Sequence, residues 1–555
     1  KRQVKLQDQA ALQLKQRVTK EPQFKLLPVE PHVAADGTPL PLRGLKRLPA
    51  PSPGDLYLDL EGDPFARHAL STEAGEGSRE YLFGLGWVDA NGNFYYEGRW
   101  AFTDVDERTA FEKVVERIAW YVEHNPGAHV YHYAPYEPSA FKRLACRYAT
   151  CAEALDTMLR AGTFVDLYAV VRESIRAGVE SYSIKDMEQY YGFTREIDLR
   201  QAGRERQAIE VALESGDPGA ITDDVRAAVE GYNRDDVRST WQLQVWLEMQ
   251  REKLVAGGAD VPRPQRESGE APETVGEREQ RVLALRERLL ALIRSPGALT
   301  PGEGQGTEAR DRALYLMAYL LDWHRREARG EWWEFFRLLD LDDAALMDER
   351  KAVSGLEHVE QVEVVLHKRT GRPTGSAVER FRFPVQDCDI REGNKLNLVD
   401  GKVWGEVAAI DRQSRTLDVK VGPARAGQRP VSAFVHDVVS ARSIEDALYD
   451  IGMAMADGAA DPLAMDLLEA RTPAFRDVET LVGLLGPVDS GTPGLQDPEG
   501  GRVLAVQGPP GTGKTYSGGV MICDLVAAGK RVGVTALSHA AVSYTHLTLP
   551  TSDLV

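Results

Sequence analysis

The chain has 555 residues, 43% of them hydrophobic and 27% charged, which is typical of a globular protein with several domains. Its net charge of −18 argues against a surface that is basic throughout, so any nucleic-acid contact must be local. The sequence has no apolar run of membrane-spanning length and no signal peptide, and its four cysteines are too few and scattered for a disulfide framework or a zinc site. These properties predict a cytoplasmic protein that does not enter a membrane.

The first fifty residues form a basic segment. Residues 3–20 have a helical pattern and are followed by a proline-rich connection that runs to Pro53. Residues 1–50 contain ten Lys and Arg residues against four Asp and Glu residues. Such a segment could face the phosphates of a nucleic acid, and a solvated helical arm with a linker explains the same charge equally well.

An acidic strand opens the next region, residues 51–250, in which predicted strands and helices alternate. The stretch Gly54–Glu61 reads GDLYLDLE. Because side chains alternate along a strand, its three leucines point to one face, and the other face carries Tyr57, Asp59 and Glu61. Two acids at alternate positions can share a metal ion, whereas the alternative is an acidic strand that faces solvent.

Two later motifs add carboxylates to this region. Residues 130–137, VYHYAPYE, predict a strand that runs into a helix, with Glu137 at the turn. Tyr232 and Asp236 are four residues apart in a predicted helix, so they lie on one helix face. Carboxylate oxygens without accompanying His or Cys favour Mg²⁺ or Mn²⁺ over zinc.

The order of these motifs resembles the Tyr subclass of the DEDD exonucleases, RNase H-like enzymes that degrade nucleic acid from 3′ to 5′. Within that group the region is similar to the YprB-like RNase H domain of bacterial RecB-like nuclease–helicase fusion proteins. The resemblance covers about residues 50–250 and implies hydrolysis of phosphodiester bonds in single-stranded DNA or RNA. It implies that two Mg²⁺ or Mn²⁺ ions are held by Asp59, Glu61, Glu137 and Asp236. Glu137 stands where the family usually has the shorter Asp.

Other residues of this region are given supporting roles. The resemblance implies that Tyr232 orients the attacking water and that Lys185 approaches the scissile phosphate. A solvated lysine at a helix start is the alternative for Lys185. Asp166, in FVDLY, is predicted as a helix N-cap, and Asp235 as a surface acid next to the motif.

The middle of the chain predicts three further regions. Residues 251–275 have the composition of a linker, and residues 276–357 show helical periodicity. The helical segment contains aromatic residues that are predicted to pack in a core rather than to stack on bases, namely Trp323, Trp332, Trp333, Phe335 and Phe336. Short strands separated by turns from 358 to 440 suggest a small β-barrel.

A glycine-rich loop near the C-terminus has the spacing G-x-x-x-x-G-K-[ST] of a P-loop. Its residues are Gly508, Pro509, Pro510, Gly511, Thr512, Gly513, Lys514 and Thr515. The apolar run 503–506 predicts a strand before the loop, and 515–528 predict a helix after it that ends at Gly529. The loop would hold the phosphates of ATP, with Lys514 on the β- and γ-phosphates and Thr515 on Mg²⁺. An ordinary Gly/Pro-rich turn is the alternative.

The surroundings of this loop resemble the start of a superfamily 1 helicase. The resemblance rests on residues 507–515 and on 531–542, RVGVTALSHAAV. In that family the second segment is a strand followed by a loop, and the polar residues expected to contact single-stranded nucleic acid are Thr535, Ser538 and His539. Residues 441–541 are therefore interpreted as the N-terminal part of a truncated RecA-like helicase domain.

Both ends of the chain suggest a fragment. Residues 542–551, VSYTHLTLPT, resemble a translated sequencing adapter, so we expect 542–555 to be a non-native tail. The chain begins with Lys1 instead of Met. We expect the parent protein to be longer at both ends.

The sequence therefore predicts an α/β multidomain protein with an RNase H-like exonuclease domain, a helical segment, a small barrel and the start of a P-loop domain. The leading hypothesis is a metal-dependent 3′→5′ exonuclease fused to an ATP-dependent helicase. One alternative is a helicase or ATPase whose RNase H-like domain only binds nucleic acid. The other is a regulatory P-loop ATPase that does not separate strands.

Overall fold

The structure is a computed structural model, and it describes residues 2–33, 41–66, 78–266, 269, 273–294, 307–367, 370–436, 440–469, 514–527, 529 and 531–534. The chain divides into two compact units. The first comprises residues 1–272 and 326–437, and the second comprises 273–325 and 438–555. Among the described residues, no helix combines the length and the hydropathy that a membrane crossing requires.

An α/β domain makes up the first part of the first unit. Its elements are α1 (Arg2–Thr19), β1 (Phe24–Leu26), β2 (Leu56–Asp63), β3 (Arg79–Val88), β4 (Phe94–Trp100), α2 (Asp104–His124), β5 (Val130–His132), α3 (Tyr136–Tyr148), α4 (Ala152–Arg160), β6 (Phe164–Asp166), α5 (Leu167–Ser174), β7 (Ile175–Ala177), α6 (Ile184–Tyr191), α7 (Leu199–Glu214) and α8 (Asp223–Ala256). Five strands form a mixed sheet in the order β4-β3-β2-β5-β6. Strands β4, β3 and β2 are antiparallel neighbours, and β5 and β6 continue the sheet parallel to β2.

The two faces of β2 are buried in different cores, as strand alternation predicts. Its leucines, Leu56, Leu58 and Leu60, pack with buried residues of α2 and α3, among them Phe111 and Phe141. Tyr57, on the opposite face, packs with buried residues of α5 and α8. The acidic face of β2 therefore looks toward helix α8, and the alternative of a solvent-facing acidic strand is wrong.

The basic N-terminal segment packs on this domain and does not form a solvated arm. Strand β1 pairs antiparallel with β7, and the Gln13 side chain donates to the Val179 carbonyl at 2.9 Å. Leu48 is fully buried in the core of the domain. Arg47, one of the basic residues, forms an ion pair with Glu173 at 2.9 Å. The helix predicted at 3–20 is confirmed, but the proline-rich connection after it belongs to the domain.

The segment predicted as a linker, 251–275, differs from that prediction in its first half. Residues 251–256 complete helix α8, and Val261 is buried in the domain core. Arg263 binds Glu248 through two hydrogen bonds of 2.8 and 2.7 Å and donates to the Pro49 carbonyl. A composition rich in Pro, Gly and charge did not reveal these anchoring contacts.

Four helices follow, as the helical periodicity predicts: α9 (Glu273–Ala291), α10 (Thr307–Leu320), α11 (Trp323–Asp340) and α12 (Asp343–Met347). The packing prediction for the aromatic residues is confirmed for two of them. Trp333 is buried against the α/β domain, where its Nε1 donates to Asp156 at 2.8 Å, and Phe335 is buried beside Phe434. The remaining three keep between 44% and 51% of their surface exposed, namely Trp323, Trp332 and Phe336.

A second sheet completes the first unit. Its strands are β8 (Ala352–Ser354), β9 (Glu357–Leu366), β10 (Pro373–Arg382), β11 (Lys395–Asn397), β12 (Val403–Asp411), β13 (Thr416–Val421) and β14 (Ser432–Val435). They lie in the order β8-β14-β11-β12-β13-β10-β9, and all neighbours are antiparallel. One face packs around Phe381, Trp404 and Val419.

The closed barrel predicted for 358–440 is wrong, because this sheet is open in the described part of the chain. Its edge strands β8 and β9 do not pair with each other. Strand β8 has only three residues, and β9 is exposed along almost its whole length as one arm of a hairpin with β10. A three-residue strand and a solvent-exposed hairpin cannot close a barrel, so the sheet remains a half-barrel.

The second unit is helical within the described residues. Helices α9 and α10 pack with α13 (Arg442–Ala456) and α14 (Pro462–Leu468) around Leu289, Leu314 and Met455. The helix predicted at 515–528 is present as α15 (Lys514–Ala527). Gly529 follows it with φ +76° and donates its N–H to the Val526 carbonyl at 2.9 Å, as predicted for a helix end.

The rest of the P-loop region lies outside the described residues. This holds for the strand predicted at 503–506, for the loop residues Gly508 to Gly513, and for Thr535, Ser538, His539 and the tail 542–555. Residues 531–534 are described and form no strand, although a strand was predicted to begin there. The start of a RecA-like domain stays a prediction.

Candidate metal centre

Three of the predicted carboxylates meet where strand β2 faces helix α8. Asp59 and Glu61 lie on the same face of β2, and Asp236 lies near the middle of α8. One carboxylate oxygen of each lies within 4.8 Å of the others. Glu61 and Asp236 are buried, and Asp59 is partly exposed. No other group of three possible ligand side chains comes this close together in the described parts of the chain.

Two glycines of β3 allow α8 to approach β2 closely enough for this arrangement. Gly84 lies opposite Asp59 in the β2–β3 pair, and a Cβ atom there would lie 1.8 Å from Asn233 Oδ1. At Gly86 a Cβ atom would lie 2.6 Å from Val237 Cγ1. Both distances are far shorter than a van der Waals contact, so these positions require glycine.

Asn233 holds the carboxylate of Asp59 in place. Its Nδ2 donates to Asp59 Oδ2 at 2.7 Å, and its Oδ1 accepts a hydrogen bond from the Tyr96 hydroxyl at 2.8 Å. Asn233 is fully buried, so no water competes for these bonds. The Tyr96 hydroxyl also fixes which end of the amide faces Asp59.

Two cations flank Asp236. Arg195 Nη2 lies 2.6 Å from Asp236 Oδ1, and Lys185 Nζ lies 3.0 Å from Asp236 Oδ2. Arg195 also donates to Glu188 at 2.5 Å, so it bridges two carboxylates. The alternative of a solvated lysine is wrong for Lys185, because its ammonium is ion-paired and its side chain is only 31% exposed.

Tyr232 lies among these cations. Its buried ring is 5.1 Å from Lys185 Nζ, 5.5 Å from the Arg195 guanidinium and 5.8 Å from the Arg206 guanidinium. Arg206 Nε also lies 3.2 Å from a carboxylate oxygen of Glu61. Burial and the charge of Asp236 raise the pKa of Tyr232 to about 12, so its hydroxyl is protonated at neutral pH and can donate a hydrogen bond.

Glu137 does not join the group of three. It is buried at the start of α3, and its Oε2 lies 3.5 Å from His132 Nδ1, which itself donates to the Ala134 carbonyl at 2.6 Å. Burial alone would lower the pKa of His132, but Glu137 and Asp166 together raise it, which favours an imidazolium beside Glu137. The fourth predicted ligand therefore faces a histidine, although it lies near enough to raise the pKa of Asp59.

The two other acids assigned from the sequence have structural roles. Asp166 caps α5 as predicted, accepting from the Tyr168 N–H at 2.8 Å. The prediction that Asp235 is a surface acid is wrong. Asp235 is 1% exposed and accepts from the N–H groups of Glu196 and Ile197 at 2.9 and 3.0 Å.

The electrostatics of the group favour a bound cation. The pKa of Asp59 is raised well above its usual range by burial and by the neighbouring charges of Asp236 and Glu61. Burial raises the pKa of Glu61 to about 7, even though Arg206 lowers it. A divalent cation would offset the repulsion that causes both shifts.

The donor set fits a hard divalent ion. Asp59, Glu61 and Asp236 offer only carboxylate oxygens, which suit Mg²⁺ or Mn²⁺ and do not form the nitrogen and sulfur set of a structural zinc site. Their oxygens are close enough together to contact one ion.

A cleft opens next to this group. It has a volume of about 360 Å³ and is lined by Asp59, Asp236, Lys185 and the tyrosines Tyr133, Tyr168 and Tyr182. The Tyr133 hydroxyl donates to the Tyr182 carbonyl, and the rings of Tyr133 and Tyr168 meet edge to face with centroids 5.5 Å apart. The cleft thus combines carboxylates, one ammonium and aromatic walls.

Comparison with protein families matches residues 56–248 to RNase_H_2, a family of the RNase_H superfamily. The match covers about a third of the chain and contains the whole five-stranded sheet, α8 as far as residue 248 and the acidic group. No curated protein and no solved structure matches the chain. Residues 56–248 therefore form an RNase H-like nuclease domain, and nucleic acid is the class of substrate that this superfamily implies.

Several functional residues of the site were missed by the sequence reasoning. Arg195 and Arg206 contact the carboxylates but lie outside the sequence motifs, and they reach the site only through folding of the segment from α6 to α7. His132 lies inside the motif at residues 130–137, but no role was predicted for it. Asn233 could have been predicted from the sequence, because it lies next to Tyr232 in the same motif. A buried amide often orients a carboxylate that binds a metal.

Proposed function

We propose that this chain contains a metal-dependent nuclease that removes nucleotides from the 3′ end of single-stranded DNA or RNA. The observation that carries the proposal is the convergence of Asp59, Glu61 and Asp236 within 4.8 Å at the edge of a cleft that also exposes Lys185. The motif order D-x-E, then Y-x-x-x-D, supports the exonuclease subclass and the 3′ polarity.

Bound Mg²⁺ or Mn²⁺ would lower the pKa of water and stabilise negative charge on the phosphate. Asp59, Glu61 and Asp236 would hold it, and Asn233 would keep the Asp59 carboxylate oriented. In hydrolysis the water oxygen joins phosphorus, the bond between phosphorus and the 3′ oxygen breaks, and that oxygen takes up a proton while the water loses one.

Two other residues of the site can act on the substrate. The protonated Tyr232 hydroxyl would donate a hydrogen bond to the attacking water or to the phosphate. Lys185 lines the cleft, its positive charge is stabilised by the ion pair with Asp236, and it would attract the scissile phosphate. Tyr133 and Tyr168 would contact the terminal base through stacking, which is tolerant of sequence.

The test uses the full chain and oligonucleotides labelled at either end. We expect 5′-labelled single strands to shorten progressively in Mn²⁺ or Mg²⁺, 3′-labelled strands to release a mononucleotide at once, and EDTA to stop both. Asp236→Asn should abolish cleavage, and Tyr232→Phe should reduce it less. Asp224→Asn, an exposed acid in the first turn of the same helix, should leave cleavage unchanged.

The outcome separates this proposal from its rival, a domain that binds nucleic acid without cutting it. Retained binding of single strands with no metal-dependent cleavage would favour the rival. Release of internal fragments from both labelled ends would show an endonuclease and would remove the exonuclease assignment.

We also propose that residues 508–515 bind ATP with Mg²⁺, as part of a superfamily 1 helicase domain. The motif spacing, with Lys514 and Thr515 in place, supports it, and α15 begins where the motif requires a helix. We expect this chain to bind a fluorescent ATP analogue. Binding that survives Lys514→Ala would contradict this proposal.

A further inference from the structure

We propose that the acidic site binds one divalent ion, and that the ammonium of Lys185, supported by Arg195, takes the place of a second ion. This inference rests on the proposed nuclease function and concerns the same site. A pair of ions is the usual arrangement for hydrolysis of phosphodiesters. Here the chain itself supplies the second positive charge.

The first observation is the position of the fourth carboxylate. Glu137 lies outside the group of three, and its Oε2 faces His132 Nδ1 at 3.5 Å. His132 and Glu137 are both almost completely buried, so this contact is shielded from water. Among the four carboxylates that the motif order assigns to metal binding, Glu137 is the one left for a second ion, and its charge already faces a group that can carry the opposite charge.

The second observation is that both oxygens of Asp236 already face cations. Arg195 Nη2 lies 2.6 Å from Asp236 Oδ1, and Lys185 Nζ lies 3.0 Å from Asp236 Oδ2. In a site for two ions, a carboxylate in this position would bridge or complete their coordination. Arg195 is held firmly, because it also binds Glu188 and its side chain is only 8% exposed. Lys185 is the more exposed of the two, so it can yield its place to the single ion or turn toward a phosphate.

The third observation is the balance of charge. The site and the groups in direct contact with it contain five carboxylates: Asp59, Glu61, Glu137, Glu188 and Asp236. Three permanent cations face them, namely Lys185, Arg195 and Arg206. With all five carboxylates ionised and His132 as the imidazolium, the net charge is −1, and one divalent ion is enough to offset it. Two ions would leave an excess of positive charge in a largely buried site, which is unfavourable.

Lys185 is also placed to act where a second ion would act. Its side chain lines the same cleft as Asp59 and Asp236, and its Nζ lies over the ring of Tyr232. From there the ammonium can contact a non-bridging or leaving oxygen of the scissile phosphate and stabilise the charge that develops on it.

The deciding experiment is calorimetric titration of Mn²⁺ into the full, nucleotide-free chain, with Asp59→Asn as the reference for ions bound elsewhere. We expect a difference of one ion per chain between the two proteins. A difference of two ions would overturn the inference and leave the nuclease proposal intact. No difference, together with no metal-dependent cleavage, would reject both.

A second measurement tests the role of Lys185. Lys185→Met should bind the single Mn²⁺ ion about tenfold more tightly, because a like charge is removed from its ligand, and turnover should nevertheless fall. Lys185→Arg should recover part of the turnover, and Lys113→Met, an exposed helix lysine, should change neither. Unchanged metal affinity and turnover in a folded Lys185→Met protein would contradict the assignment.

Discussion

At the level of single residues, the acidic group is held together at an electrostatic cost. Asp59 and Glu61 both have a raised pKa, because burial and neighbouring carboxylates disfavour their charged forms. Folding therefore favours proton uptake by both groups. For Glu61, whose pKa is raised to about 7, the cost to stability grows as the pH rises from about 4 to about 7 and is fully present above that range. The acidic group destabilises the metal-free fold, and a bound metal ion would remove that cost. Such a group is typical of a functional site and does not serve to stabilise the fold.

Asp59→Asn should therefore stabilise the metal-free protein while it abolishes cleavage. Removing one negative charge relieves repulsion with Glu61 and Asp236, and the amide can still accept from Asn233. We expect the melting temperature in EDTA at pH 8 to rise by about 2–4 °C, equivalent to about 1 kcal/mol for a domain of this size. The gain should shrink toward pH 5, and Mn²⁺ should no longer stabilise the variant. A lower melting temperature in EDTA would show that Asp59 is not under electrostatic strain.

At the level of elements, the site depends on how closely helix α8 lies against the sheet. Asn233, Asp236 and Tyr232 all come from α8, and their carboxylate partners come from β2. The gap between the two elements is set by β3, which offers glycine at positions 84 and 86. The spacing of the metal site is thus fixed by residues that never touch the metal.

Gly84→Ala tests this dependence. The added methyl group would overlap with Asn233, so we expect a loss of about 1–3 kcal/mol in stability from overpacking and a marked loss of metal affinity. Gly203→Ala is the matched control, because an added Cβ there meets nothing within 4 Å in helix α7, and it should stabilise by up to about 1 kcal/mol. Equal metal affinity in wild type and Gly84→Ala, measured by titration, would disprove the spacing argument.

At the level of the whole molecule, the α/β domain extends on both sides beyond residues 51–250, the range that contains its motifs. The N-terminal residues supply β1 and the buried Leu48, and the residues after α8 supply Val261 and the anchor Arg263. A fragment cut at the limits suggested by composition, 51–250, would lose all four contributions.

A fragment of residues 51–250 should therefore unfold at a lower temperature than a fragment of residues 2–266, or fail to stay in solution. Loss of the buried apolar side chains alone removes several kcal/mol, since each contributes about 1.5–3 kcal/mol. Thermal unfolding followed by circular dichroism gives the comparison. Identical melting temperatures would mean that the flanking segments add nothing to the domain.

The sequence was informative where the pattern is local. The alternation in GDLYLDLE predicted both faces of β2, and the spacing of Tyr232 and Asp236 predicted one helix face. It failed where contacts join distant segments, since nothing near Asp236 shows that Arg195 reaches it from 41 positions away. It also gave no role to His132, which lies in the same short motif as Glu137 and faces it. The barrel prediction failed because the pattern shows where strands occur but not which strands pair: β8 and β9 are neighbours along the chain and lie at opposite edges of the sheet.

Anomalous X-ray scattering from crystals of the full chain soaked in Mn²⁺ would show directly whether the acidic group binds the metal. We expect a peak within coordination distance, about 2.2 Å, of oxygens from Asp59, Glu61 and Asp236, and none beside Glu137. The peak should disappear in Asp59→Asn crystals grown under the same conditions. Mn²⁺ peaks only elsewhere on the protein, or none at all in a chain that still cleaves single strands, would contradict a catalytic metal at this site.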